Sequence, residues 1–237
     1  MIRKLLARFK RPAVTLPAGQ QARLESLRSK ISVDCSAVLA SDRIVVVDVE
    51  TSGLSLAEDH LIAIGAIAIH AGRIAIADSF DVLLRQDVAS DKANILVHGI
   101  GGTAQRTGQP PEEGLLAFLE YLDGAPLFAF HVAFDEPMLR KACRRFLGFE
   151  FRHTWADLAY LLPVLFPEYA QKYHSLDDWL THFAISNDER HNALADAQAT
   201  AQLALITLHS ARTKRIVNFK VFREMEKAQR WLSAARY

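Results

Sequence analysis

The chain has 237 residues, half of them hydrophobic, with 28 Lys/Arg against 27 Asp/Glu and a formal net charge of +1. That length and apolar content provide for one substantial core with appendages, and no apolar run reaches the roughly 20 residues of a membrane-spanning helix, the longest candidate (residues 61–69) being of strand length. Two cysteines, Cys35 and Cys143, are too few for a disulfide framework and lack metal-ligand spacing, so a reducing, cytoplasmic setting is expected.

The near-neutral total conceals an asymmetry. Residues 1–30 carry eight Lys/Arg and one Glu, and residues 212–237 carry eight Lys/Arg and two Glu, which leaves −12 on residues 31–211. Basic ends attract polyanions directly and with salt dependence, whereas an acidic middle must recruit cations first. Both ends read equally as plain solvated helices.

Residues 1–10 place Ile2, Leu5, Leu6 and Phe9 at helical spacing among Arg and Lys before Pro12, a short basic amphipathic helix that fits packing on the domain or a partner better than a secretory signal. Residues 20–31 form a second helical stretch with Leu24, Leu27 and Ile31 on one face. Next, residues 44–53 read I-V-V-V-D-V-E-T-S-G, a buried strand with two acids near its end. Side chains alternate along a strand, so Asp48 and Glu50 share a face opposite Val47 and Val49. Paired carboxylates on a buried strand need a shared proton or a cation, and hard divalent ions prefer such oxygens. Two solvated acids at a strand end would read the same on this stretch alone.

Residues 61–70 and 73–84 alternate around Ala71-Gly72, the pattern of a hairpin. Residues 87–108 read as irregular, with Val97-His98-Gly99-Ile100 among them. A helix opens at Pro111-Glu112-Glu113 and ends near Asp123-Gly124, and residues 126–130 form a short strand. Asp135 then falls at a strand-to-helix junction, as either a ligand-facing acid or a helix cap. Residues 149–153 are expected as a strand, residues 156–165 as helix, and Ser175-Leu176-Asp177-Asp178 carries a capping-box signal. Residues 188–192 interrupt the helical pattern, which resumes to about residue 212, so that His191 and Asp196 can face one space. Residues 214–237 read as a basic helix packed on the domain, and no glycine follows Gly148.

Three segments together match a family in order and spacing. Asp48-Val49-Glu50-Thr51-Ser52-Gly53-Leu54, Phe134-Asp135-Glu136-Pro137-Met138-Leu139 and His191-Asn192-Ala193-Leu194-Ala195-Asp196-Ala197, with Val97-His98-Gly99-Ile100 between the first two, resemble the DEDDh 3′-to-5′ exonucleases, whose members include the proofreading epsilon subunit of bacterial DNA polymerase III and ribonuclease T. One departure is Phe130-His131, where the family usually carries His-Asn. The resemblance implies an α/β, ribonuclease H-like fold: a five-stranded mixed sheet whose first three strands meander antiparallel, flanked by helices. It implies that Asp48, Glu50, Asp135 and Asp196 hold two Mg²⁺ or Mn²⁺ ions roughly 3.5–4 Å apart, one for the attacking water and one for the leaving 3′-oxygen. It further implies His191 as general base, and Thr51, Leu54, His98 and Phe134 around the terminal nucleotide, with Phe134 equally a core residue.

The expected organisation is a basic helical extension over residues 1–40, an exonuclease domain over 41–212 and a basic C-terminal helix over 213–237. The expected activity is release of nucleoside 5′-monophosphates from single-stranded or frayed DNA 3′-ends, in proofreading or repair, with a DNA polymerase subunit as a possible partner. RNA 3′-end trimming is the rival within the same chemistry, and a non-catalytic nucleic-acid-binding or polymerase-associated subunit the rival outside it.

Overall fold

The computed structural model describes residues 14–33, 37–39 and 42–234, so the helix expected over residues 1–10 and Cys35 lie outside the described residues. After α1 (Ala18–Arg28), the chain forms β1 (Ile44–Thr51), β2 (Leu61–His70) and β3 (Arg73–Leu83). These pair antiparallel in sequence order, with Ala71 and Gly72 both at positive φ in the β2–β3 turn. The chain then crosses to the other side of β1, where β4 (Leu127–Ala129) and β5 (Trp155–Asp157) add in parallel, giving the order β3-β2-β1-β4-β5. The expected five-stranded mixed sheet is present.

Alternation along β1 divides the core into two layers. Val45, Val47 and Val49 face one side, under α1, α4 (Pro111–Leu122) and α5 (Val132–Phe146). Ile44 and Val46 face the other, under α6 (Leu158–Leu165), α7 (Leu176–His182), α8 (Ala193–Thr213) and α9 (Phe219–Ala234). Asp48 and Glu50 continue the second face towards the C-terminal end of β1. That end is where the chain switches from one side of β1 to the other, the place where open α/β sheets leave a crevice.

Two expectations require correction. Residues 87–108 are not irregular: they contain α2 (Lys92–His98), whose first turn is capped by the Asp91 carboxylate accepting from Asn94 N at 2.8 Å, and α3 (Gly102–Thr107). Gly99, at φ +70°, ends α2 in the left-handed conformation that glycine adopts without steric cost. The strand expected at 149–153 lies instead at Trp155–Asp157, because the ladder to β4 pairs Leu127 with Trp155 and Ala129 with Asp157. Phe151 is buried in the core, and His153 bonds the carbonyl of Ala125 at 2.8 Å and the amide of Ser32 at 3.2 Å. Helix α6 accordingly starts at Leu158, after two residues that its apolar pattern had assigned to it.

Gly65 sets how close α8 comes to the sheet. It pairs with Asp48 across β1 and β2, and a Cβ there would sit 2.1 Å from Ala193 C and 2.2 Å from Leu194 N at the start of α8. The Gly65→Ala variant is therefore expected to lose about 3 kcal/mol, or roughly 6–12 °C in melting temperature. Gly19→Ala, with open space around it in α1, should be neutral or stabilising. Thermal denaturation of both checks this, and equal melting temperatures would contradict it.

Candidate active site

The nine residues singled out from the sequence line one cleft of about 470 Å³ at the C-terminal end of β1. Asp48 and Glu50 project from the strand. Asp135 enters from the first turn of α5, reached through a left-handed turn at His131 (φ +68°), and Asp196 enters from the first turn of α8. One carboxylate oxygen each from Asp48, Glu50 and Asp196 lies within 4.8 Å of the others. Asp135 is 5% exposed and close enough to Asp48 for its charge to act strongly there.

Crowding of carboxylates has the consequence that electrostatics demands. Burial, followed by the charges of Asp135, Asp196 and Glu50, holds the Asp48 carboxyl well above the usual carboxylate range. Burial and then Asp196 push Glu50 up to about 8. Asp135 is raised to about 8, mainly by burial and further by Asp157, against a hydrogen bond from the Val49 backbone that favours its charge.

Asp196 is held most firmly. Its Oδ1 accepts from the Asn187 amide, and its Oδ2 accepts from His191 N at 3.0 Å and lies 2.5 Å from Arg190 Nη1. Arg190 also contacts Asp177 at 2.7 Å, so its guanidinium bridges α7 to the floor of the cleft. It lowers the proton affinity of both Asp48 and Glu50, which makes it the cleft's own counter-cation. Sequence reading missed Arg190 and Asn187. Both lie in the break before α8, where an Arg directly before His191 was the available signal.

The remaining residues form the walls. Leu54 is 86% exposed at the lip, on a β1–β2 loop fixed by Thr51 Oγ1 donating to Gly53 O at 2.7 Å and by Ser52 Oγ donating to Asp59 at 2.7 Å. From α5, Lys141 Nζ donates to the carbonyls of Leu56, Ala57 and Asp59. His98 is buried: its Nδ1 accepts from Ile100 N at 3.0 Å, which leaves Nε2 to donate to Ser90 Oγ at 3.2 Å. Burial pushes that imidazole down, so it is a neutral wall. Phe134 both lines the cleft and packs on the core. His191 is exposed in the cleft at φ +65°, a backbone conformation that costs a non-glycine residue free energy and here aims its amide at Asp196.

A compact set of oxygen donors with no sulfur suits a hard divalent cation. Asp48, Glu50 and Asp196 could hold one directly, with Asp135 beside Asp48.

Comparisons with known proteins place the chain in a family. A family model described as Exonuclease (RNase_T) matches residues 45–204. A DNA polymerase III subunit epsilon-like protein of Rhodobacter capsulatus is 32% identical over 179 residues, covering 74% of this chain and 25% of that protein. A PolC-type DNA polymerase III of Caldanaerobacter subterraneus is 30% identical over 159 residues, covering 67% of this chain and 11% of that one. The chain thus spans a quarter or less of the length of these relatives. Among solved structures, E. coli exonuclease I in complex with a dT13 oligonucleotide superimposes with a TM-score of 0.61 at 17% identity, over 74% of this chain and 42% of that one. The nuclease domain of 3′hExo, a DEDDh family member bound to rAMP, gives 0.61 at 16% identity over 71% and 92%.

Raised pKa values mean that Glu50 and Asp135 bind more protons in the folded, metal-free protein than in the unfolded chain between about pH 4.5 and 8. Their contribution to stability falls as pH rises through that window, by up to about 1.4 kcal/mol per pH unit for each group. In EDTA, the melting temperature of the wild type should drop from pH 5 to pH 8 more steeply than that of a Glu50→Gln/Asp135→Asn double variant, and Mg²⁺ should raise it more at pH 8 than at pH 6. Parallel curves for the two proteins would contradict the assignment.

Proposed function

Because this chain belongs to the exonuclease family described by the RNase_T model, we propose that it is a metal-dependent 3′-to-5′ exonuclease that removes nucleoside 5′-monophosphates from single-stranded or frayed DNA 3′-ends. The observation that carries this reading is the convergence of Asp48, Glu50, Asp135 and Asp196 with an accessible His191 in one cleft. DNA is favoured because the matched relatives are DNA polymerase III proteins, and a polymerase subunit is the corresponding partner. The rAMP bound by 3′hExo supports RNA 3′-ends as the second reading.

Two Mg²⁺ or Mn²⁺ ions held by the four acids would supply positive charge to offset the negative charge developing on the phosphoryl oxygens. His191 is the base. Its imidazole takes a proton from water as the water oxygen bonds to the terminal phosphorus and the bond from phosphorus to the 3′-oxygen of the preceding nucleotide breaks, and that oxygen takes a proton from solvent to become the new 3′-hydroxyl. Arg190 would be freed from Asp196 to the degree that cations replaced it, while its pair with Asp177 would keep it in the cleft lining. Leu54 at the lip and Phe134 in the wall present apolar faces to the terminal base and sugar, contacts that tolerate any sequence. The basic chain ends supply the attraction that the acidic cleft lacks. Among the described residues no helix is long and apolar enough to cross a membrane.

With Mg²⁺ or Mn²⁺, the protein should shorten a 5′-labelled single-stranded oligonucleotide one nucleotide at a time. Asp48→Asn should lose about a thousandfold or more in rate, about 4 kcal/mol of transition-state stabilisation. Matched DNA and RNA substrates decide between the two readings. Binding of either strand without cleavage at saturating Mn²⁺ would overturn the enzymatic one.

A further inference from the structure

The C-terminal helix α9 reaches the candidate active site through one buried carboxylate. Asp157, the last residue of β5, is fully buried, and its carboxylate accepts four hydrogen bonds. Oδ1 accepts from His131 N and Ala159 N, each at 3.0 Å, and Oδ2 accepts from Val132 N at 3.0 Å and from Arg230 Nη2 at 2.8 Å. Arg230 is fixed in turn: Nε donates to Glu226 at 2.7 Å, and the guanidinium lies 4.2 Å from the Tyr160 ring centre. Glu226 closes the set by accepting from Asp157 N at 2.9 Å.

His131 and Val132 are the turn by which β4 becomes α5. That strand is only three residues long, and His131 sits at φ +68° with no side-chain cap of its own. The turn is therefore held in a conformation that L-residues resist, by a carboxylate accepting its two consecutive amides. Three residues further on, Asp135 faces Asp48. Without a cation beside it, Asp157 would be a buried lone charge next to a second buried acid, an arrangement that costs several kcal/mol.

We propose that Arg230 is a positioning residue for the cleft: by neutralising and orienting Asp157, it holds the His131–Val132 turn and thereby places the Asp135 carboxylate beside Asp48. This rests on the exonuclease reading only in what Asp135 is placed for. It also assigns a role to the basic C-terminal helix other than attraction of nucleic acid. Helix α9 does not depend on Arg230 to stay docked, since Phe219 and Phe222 are fully buried against Phe128, with ring centres 5.2 and 5.9 Å away.

The test compares the full-length wild type with Arg230→Met and Arg230→Lys. Amide hydrogen exchange follows the 127–136 segment, and electron paramagnetic resonance follows Mn²⁺ binding without nucleic acid. In Arg230→Met, exchange of the turn should accelerate at least tenfold while α9 stays protected. The weaker Mn²⁺ constant should rise about tenfold, and kcat on a labelled oligonucleotide should fall 10–100-fold with KM within twofold. Arg230→Lys, which keeps the charge but not the fork, should restore Mn²⁺ affinity to within about threefold and guards against a Met variant that folds poorly. Wild-type exchange and Mn²⁺ binding in both variants would overturn the proposal. A wild type that binds Mn²⁺ but cuts no 3′-end would overturn the exonuclease reading and leave this one standing.

Discussion

Repulsion among crowded carboxylates governs this molecule. Asp48, Glu50, Asp135 and Asp196 arrive from three elements at the end of β1, and after burial the charges of Asp135, Asp196 and Glu50 raise the cost of ionising Asp48, as Asp196 and Asp135 do for Glu50. The fold offsets that cost locally. Arg190 lies against Asp196, the Asn187 amide and the His191 backbone donate to it, and the Val49 backbone supports Asp135. One oxygen each of Asp48, Glu50 and Asp196 converge within 4.8 Å on one face. A divalent cation held there would offset the charge that ionisation brings to that face.

The acids can meet because the backbone around them is constrained at a few positions. Gly65 lets α8 lie directly on β2, so Asp196 comes down to the level of Asp48. Left-handed residues at His131 and His191 turn the chain sharply enough to aim two helices at one point. Lys141 fixes the loop carrying Leu54 by gathering three carbonyls. Stability is given up at the site and recovered in the two apolar layers.

Much of this was legible in the sequence for physical reasons. Period-two alternation puts Asp48 and Glu50 on one face whatever the rest of the chain does, and a two-residue turn at Ala71-Gly72 leaves a hairpin as the only economical reading. The convergence of Asp135 and Asp196 was not deducible from spacing; it came from the likeness of three ordered segments to a known family. The sequence did not disclose contacts made by residues with an ordinary local appearance. Asp157 sits in an apolar run that reads as helix, and its importance lies in amides 25 and 26 residues away. Arg190 looks like one charge in a polar break, and Gly65 like one small residue in a strand of alternating Ile and Ala. Residues 87–108 misled because their helices are too short for a period to develop.

Membership of the exonuclease family sets the chemistry to be looked for, and the acid cluster is where to look. The most direct measurement is diffraction at the manganese absorption edge from crystals soaked in Mn²⁺. Anomalous peaks are expected between Asp48, Glu50 and Asp196 and beside Asp135, with Arg190 drawn off Asp196 towards Asp177. An unchanged Arg190–Asp196 pair and no anomalous density in the cleft at saturating Mn²⁺ would contradict that expectation.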